Sequence, residues 1–159
     1  DAVSTLARCG GEPCAAAMLV AMPISTEHVG RRYLAEPITV TAQKIQEFAD
    51  ALGDPNPAYR GPDAIAPPTF AITLASFEAV LDDPELELAL ARTIHMDQSF
   101  ENARPLRAGD VVVPVASIEK VRSRGATDMI TVAITLDTVD GEHVATATAN
   151  LFHSREEDA

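Results

Sequence analysis

An α+β domain, one antiparallel sheet wrapped around a central buried helix, is predicted by three features of the sequence. Four strand-like segments follow one another from residue 93 to 153. The clearest, Asp128 to Val139, alternates Ile130, Val132, Ile134 and Leu136 with Thr131, Ala133, Thr135 and Asp137. Before them, Phe70 to Leu81 is apolar on most sides, which suits a helix enclosed by other elements. Between that segment and an amphipathic helix lies the loop G-D-P-N-P-A-Y-R-G-P-D-A-I-A-P-P-T-F, Gly53 to Phe70, stiffened by five prolines. The opposite sheet face and the edge strands ask for cover, so the fold is expected to be dimeric.

The chain has 159 residues, 47% apolar and 23% charged, which suits one globular domain without repeats or linkers. Residues 22–154 form the expected domain. Residues 1–21 read as a disordered extension, with Met22 as an original start, and 155–159 as an acidic tail that frays. Cys9 and Cys14 lack the companion ligands of a zinc site and read as incidental thiols in a reducing compartment. Ala15 to Ala21 is too short to span a bilayer, and a cytoplasmic location is expected. The formal charge of −12 argues against nucleic-acid and anionic-membrane partners, because either would be repelled. An acidic carrier protein would need a local basic patch, for which Arg104 with Arg107, or Lys120, Arg122 and Arg124, are the candidates; a solvated, charged strand edge explains them equally.

In chain order, the β-branched I-T-V-T predicts a short strand ending near Thr41, which can cap the next helix. Ala42 to Leu52 sets Ile45, Phe48, Ala49 and Leu52 at i, i+3, i+4 and i+7, one apolar stripe, and Gly53 ends it. Phe70, Leu74, Phe77 and Leu81 define the apolar helix, stopped by Asp82-Asp83-Pro84, and Glu85 to Ala91 suggests a short further helix. Strands are expected over Thr93–Ala103, Val111–Val121, Asp128–Val139 and Glu142–His153. The turn R-P-L-R-A-G-D joins the first two, and the hairpin signal Asp140-Gly141 joins the last two. Ala145, Ala147 and Ala149, small and on one face, leave room for the apolar helix.

This order, with G-D-P-N-P at the helix-to-loop junction, A-P-P-T-F opening the buried helix and R-P-L-R-A-G-D between strands, resembles the hotdog fold of the MaoC-like (R)-specific enoyl-CoA hydratases and hydroxyacyl-ACP dehydratases. The resemblance covers residues 24 to 153 and is closest to the short actinobacterial branch that includes accessory subunits of (3R)-hydroxyacyl-ACP dehydratase. It implies lyase chemistry in fatty acid metabolism on an acyl-CoA or acyl-carrier-protein thioester, in a homodimer or a heterodimer with a related hotdog subunit. No metal or redox cofactor is implied. Active members carry D-x-N-P-x-H, whose Asp and His share the acid-base work on water and the C2 proton. Dehydration needs a base for that proton, an acid for the departing hydroxyl, and donors where enolate charge develops.

Here Asp54, Asn56 and Pro57 match the pattern, and Tyr59 takes the place of the His. Imidazole is a competent base near pH 7 and a phenol is not, so Tyr59 is left with hydrogen bonding or water positioning. His95, in I-H-M-D-Q-S-F, is the other candidate; in a regular strand it would share a face with Asp97 and Ser99. Thr69 and Phe70 would offer backbone donors and the positive helix end to the thioester carbonyl, with Pro68 beside them in the substrate-binding set and Ile72, Phe77 and Val80 along an acyl tunnel. His28, His143 and His153 read as structural. The expected activity is therefore (3R)-hydroxyacyl thioester dehydratase or enoyl hydratase. The rivals are a non-catalytic acyl-binding subunit that needs a His-bearing partner, which Tyr59 favours, and a hotdog thioesterase.

Overall fold

A computed structural model describes residues 23–155. The expectations for residues 1–21, Cys9 and Cys14 included, and for 156–159 fall outside the described residues. A single antiparallel sheet organises the rest, in the spatial order β1 (Arg32–Leu34), β4 (Val111–Arg124), β5 (Thr127–Thr138), β6 (His143–Ser154), β3 (Thr93–Asn102), with β2 (Ile38–Thr39) also paired to β4. The period-two pattern sets the burial. Ile130, Val132, Ile134 and Leu136 are buried, and so are their neighbours Ala145, Ala147, Ala149 and Leu151 across the ladder. The β5–β6 hairpin forms where the Asp140-Gly141 signal falls, but Val139 and Asp140 are the central pair of its turn: Gly141, at φ +88, follows them and donates its N–H to Thr138 O at 2.9 Å.

The helix α1 (Ala42–Ala51) begins at Thr41, whose Oγ1 accepts the Lys44 N–H at 3.2 Å. Its end is a Schellman motif: Gly53, at φ +68, donates to Asp50 O at 3.0 Å, and Asp54 donates to Ala49 O at 2.9 Å. Ile45 and Ala49 are buried and Phe48 half-buried, but the last member of the expected stripe, Leu52, is 57% exposed because the chain has already turned away at its position. Thr41→Ala is expected to cost about 1 kcal/mol, read as a lower urea midpoint at unchanged slope.

The central helix departs most from expectation. Instead of one helix from Phe70 to Leu81, a 3₁₀ turn, Phe70–Thr73, is followed by an irregular stretch and one turn of α-helix, α2 (Glu78–Leu81). The side chains explain the break. Thr73 Oγ1 bonds Phe70 O at 2.9 Å, and Ser76 Oγ takes the Glu78 N–H at 3.2 Å, so both hydroxyls compete with the backbone ladder. Adjacent β-branched Ile72 and Thr73 add to the cost of continuing. Phe70, Ala71, Leu74, Ala75, Val80 and Leu81 still reach the core, with Phe70 edge-on to Phe48 at 5.5 Å. Ala79 and Ile72, expected to widen the buried surface, are exposed. No helix forms at 85–91; turns at 84–87 lead to a short 3₁₀ segment, Leu90–Arg92. Tyr33 Oη donates to Asp83 at 2.7 Å and Arg31 pairs with Asp83 and Glu85, fastening these turns to β1.

The tail also differs at its first residue. Arg155 does not fray: its N–H reaches Ala126 O at 2.8 Å, and its guanidinium grips Asp128, which is fully buried, at 2.7 and 2.5 Å. Among the described residues no helix is long and apolar enough to cross a membrane.

Candidate active site

The loop after α1 runs alongside the turn between β3 and β4, so the two proline-glycine motifs meet in space. Ala66 N–H donates to Leu106 O at 2.8 Å, Ala108 N–H to Ala64 O at 2.9 Å, and Asn102 Nδ2 to Pro68 O at 3.0 Å. The turn is tied by Arg104, which reaches Asp110 Oδ2 at 2.7 Å and Glu142 Oε1 at 2.9 Å. Burial alone would raise the Asp110 carboxyl, yet the Arg104 guanidinium and the Arg107 N–H hold it below the usual carboxylate range. Arg104 is therefore spent on its own turn and is withdrawn from the basic patch that the sequence suggested.

Within the loop, Asp54 and Asn56 act first on the backbone. Asp54 Oδ1 accepts the Asn56 N–H at 3.0 Å, and Asn56 Oδ1 accepts the Ala58 N–H at 3.0 Å, capping the 3₁₀ turn Pro57–Tyr59. Arg60 pins this turn to the helix end through Asp50 Oδ1 at 2.6 Å and Asp54 O at 3.3 Å. Tyr59 is half-buried and packs against the core. These bonds leave Asp54 Oδ2 and the Asn56 amide nitrogen outside the turn's own hydrogen bonding.

Of the donors expected at the helix start, Phe70 is already committed. The Phe70 N–H is taken by Pro67 O at 2.9 Å, the Phe70 side chain is fully enclosed, and a four-residue 3₁₀ turn has no long dipole behind it. Thr69 and Pro68 are exposed, and Pro68 lines a small cavity of about 270 Å³ with Ala71, Asn102 and Leu106. Val80 is core rather than tunnel. Ile72 and Phe77, by contrast, line a cavity of about 600 Å³ beside the broken helix, together with Leu81, Leu90 and His95.

His95 stands differently from expectation. The β3–β6 register skips Met96: His95 lies opposite Leu151, and Asp97 opposite Asn150. Directly paired residues share a face, so this bulge puts His95 on the core side and the Asp97 side chain on the outer side. No His–Asp side-chain pair forms. His95 Nε2 instead bonds the Asp97 carbonyl at 3.0 Å, a carbonyl that can only accept, so Nε2 is the donor. Phe77 meets the imidazole edge-on at 5.4 Å, which holds the ring at the cavity. Nothing in the linear sequence signals that contact, because it depends on the helix break and the bulge together.

The other histidines have structural partners. His28 completes a capping box with Ser25, His143 Nδ1 lies 2.7 Å from Asp137, and His153 is buried with Nδ1 3.1 Å from Thr93 Oγ1. Among the described residues, no three His, Cys, Asp or Glu side chains group as a metal site.

Comparison with known proteins agrees with this layout. The family model described as FAS1-like, dehydratase domain region, matches residues 27–147. A UPF0336 protein of Cutibacterium acnes is 54% identical over 139 residues, spanning 86% of this chain and 98% of the relative. One from Thermobifida fusca is 44% identical over 82% of this chain and 93% of the relative. Among solved structures, the C-terminally truncated HadBC (3R-hydroxyacyl-ACP dehydratase) complex from Mycobacterium tuberculosis aligns at a TM-score of 0.70 and 23% identity, over 81% of this chain and 99% of that one. The (R)-hydratase from A. caviae involved in PHA biosynthesis aligns at 0.58 and 20%, over 77% and 94%. The sheet and its short central helical turns are thus a hotdog fold.

Proposed function

Since this chain belongs to the FAS1-like dehydratase domain family, we propose that it works in the reversible hydration of enoyl thioesters as the subunit that holds the acyl group, while a second hotdog subunit supplies the loop imidazole. The carrying observation is the Asp54–Tyr59 turn: Asp54 and Asn56 each commit one oxygen to the turn, and Tyr59 stands in the position of the base. The cavity bounded by Ile72, Phe77, Leu81 and Leu90 offers an apolar site for an acyl chain on a CoA or carrier-protein arm. Association is supported by β3, a ten-residue strand paired only with β6, whose second edge is open to a partner strand. The HadBC and ChsH1–ChsH2 structures from Mycobacterium tuberculosis, which align with this fold, are complexes. Such thioesters place the protein in the cytoplasm.

Crotonyl-CoA tests this reading. The purified chain should leave the enoyl absorbance unchanged, activity should appear on adding a hotdog subunit with an intact Asp and His, and Asp54→Asn in this chain should leave the assembled rate within a few-fold. Free CoA released without hydration would show a thioesterase instead.

A second, self-sufficient reading is favoured by one observation, the imidazole of His95 oriented at the cavity by the Asp97 carbonyl and Phe77. In that case the chain alone hydrates crotonyl-CoA, and His95→Gln lowers the rate by about 10²–10⁴-fold.

A further inference from the structure

The outer face of the sheet carries a second surface, on the side away from the cavity. On β4 the register skips Glu119: Ile118 pairs with buried Val132, and Lys120 with Thr131. That skip turns Lys120 to the outer face, and alternation brings Arg122 and Arg124 to the same side. All three are exposed, and none makes an ion pair among the described residues. Arg31, Arg60, Arg104 and Arg155, by contrast, each hold a carboxylate. Met129, 47% exposed, lies directly opposite Arg122, and Met96, 53% exposed, shares with it, Lys120 and Arg122 the lining of a groove of about 190 Å³. Thr131, Asn150 and Asp97 also line the groove, in a hydrogen-bonded row at 2.7 and 2.8 Å.

We propose that this face docks an acidic amphipathic helix of a second protein. Three adjacent cations without carboxylate partners reverse the charge locally on a chain of −12, and the complementary surface carries carboxylates. The spacing fits a helix: alternate strand residues stand about 6.7 Å apart, and residues i and i+4 of a helix advance about 6 Å. Carboxylates at i, i+4 and i+8 therefore meet Lys120, Arg122 and Arg124 in turn, and the adjoining apolar side of the helix covers Met129 and Met96. Methionine side chains adapt to such a partner. A charged edge would by itself guard β4 against strand addition, but it does not account for the large apolar side chains next to it.

The test uses the full chain and a labelled helical peptide with Glu at i, i+4 and i+8 and Leu along the neighbouring side, followed by fluorescence anisotropy. Binding should saturate and weaken as salt rises. The triple variant Lys120→Glu/Arg122→Glu/Arg124→Glu should bind at least about tenfold more weakly, Met129→Ser several-fold more weakly, and Arg107→Glu as the parent does. A matching peptide with Lys in place of Glu should bind the triple variant, which shows that the variant is folded. Three outcomes overturn the proposal: equal affinity of parent and triple variant, equal binding of a scrambled peptide of the same composition, or tighter binding to phosphatidylserine vesicles than to the peptide.

Discussion

Mixed with a His-bearing hotdog subunit, the chain is expected to support crotonyl-CoA hydration about 10²–10⁴-fold faster than it does alone, the range that positioned acid-base catalysis contributes. The reason is local. Hydration requires proton transfer at C2 and at the oxygen on C3, and in the reading proposed above the Asp54–Tyr59 loop presents a phenol at residue 59 and commits Asp54 Oδ1 to the Asn56 N–H. A phenol is a poor base near neutral pH. Tyr59→His separates replacement of the base from loss of loop geometry: if the turn is otherwise competent, the variant gains measurable activity without a partner. Parent activity that is full without a partner and insensitive to His95→Gln would contradict both readings of the site.

Arg155→Met is expected to destabilise the fold by about 3–5 kcal/mol, because it leaves the Asp128 carboxylate buried with only the Ser123 hydroxyl, at 2.5 Å, still donating to it. In the parent, burial pushes this carboxyl up, but the Arg155 guanidinium and the Ser123 hydroxyl outweigh burial and hold it below its ordinary value. The folded value thus lies below the unfolded one. The pair's contribution is fully present above about pH 4 and is lost as pH falls through the folded value. In Arg155→Met, burial acts with much less opposition, so the deficit should shrink as acid neutralises the carboxyl. Urea denaturation of parent and variant across pH 3 to 7 reads both effects. A loss below about 1 kcal/mol at pH 7 would mean that water reaches Asp128 and takes the place of Arg155.

Much of the fold was legible in the residues. Ile130 to Leu136 show their face by period, Asp140-Gly141 marks its hairpin, Thr41 and Gly53 bracket α1, and Ala145, Ala147 and Ala149 announce the flat surface that the helical turns cover. The loop could be placed as well, because its prolines and Asx residues act on their own neighbours. The central helix was misjudged because apolar content along Phe70 to Leu81 outweighed the hydroxyls of Thr73 and Ser76, which end the helical ladder when they find backbone partners.

The sequence by itself determined the four long strands, the hairpin near Asp140-Gly141 and the Asx-rich loop that ends in Tyr59, since each depends on residues a few positions apart. Tertiary structure alone decided three other matters: on which face of β3 His95 lies, that Arg155 is anchored rather than loose, and that Lys120, Arg122 and Arg124 share a side with Met129. The physical reason is the same for the two strand placements. A bulge at Met96 or Glu119 shifts every later side chain by one step of a two-step period, and whether a ladder takes up that extra residue depends on the register of its neighbour. For Arg155 the decisive group is Asp128, 27 residues away, which becomes a partner only once β5 and β6 have paired.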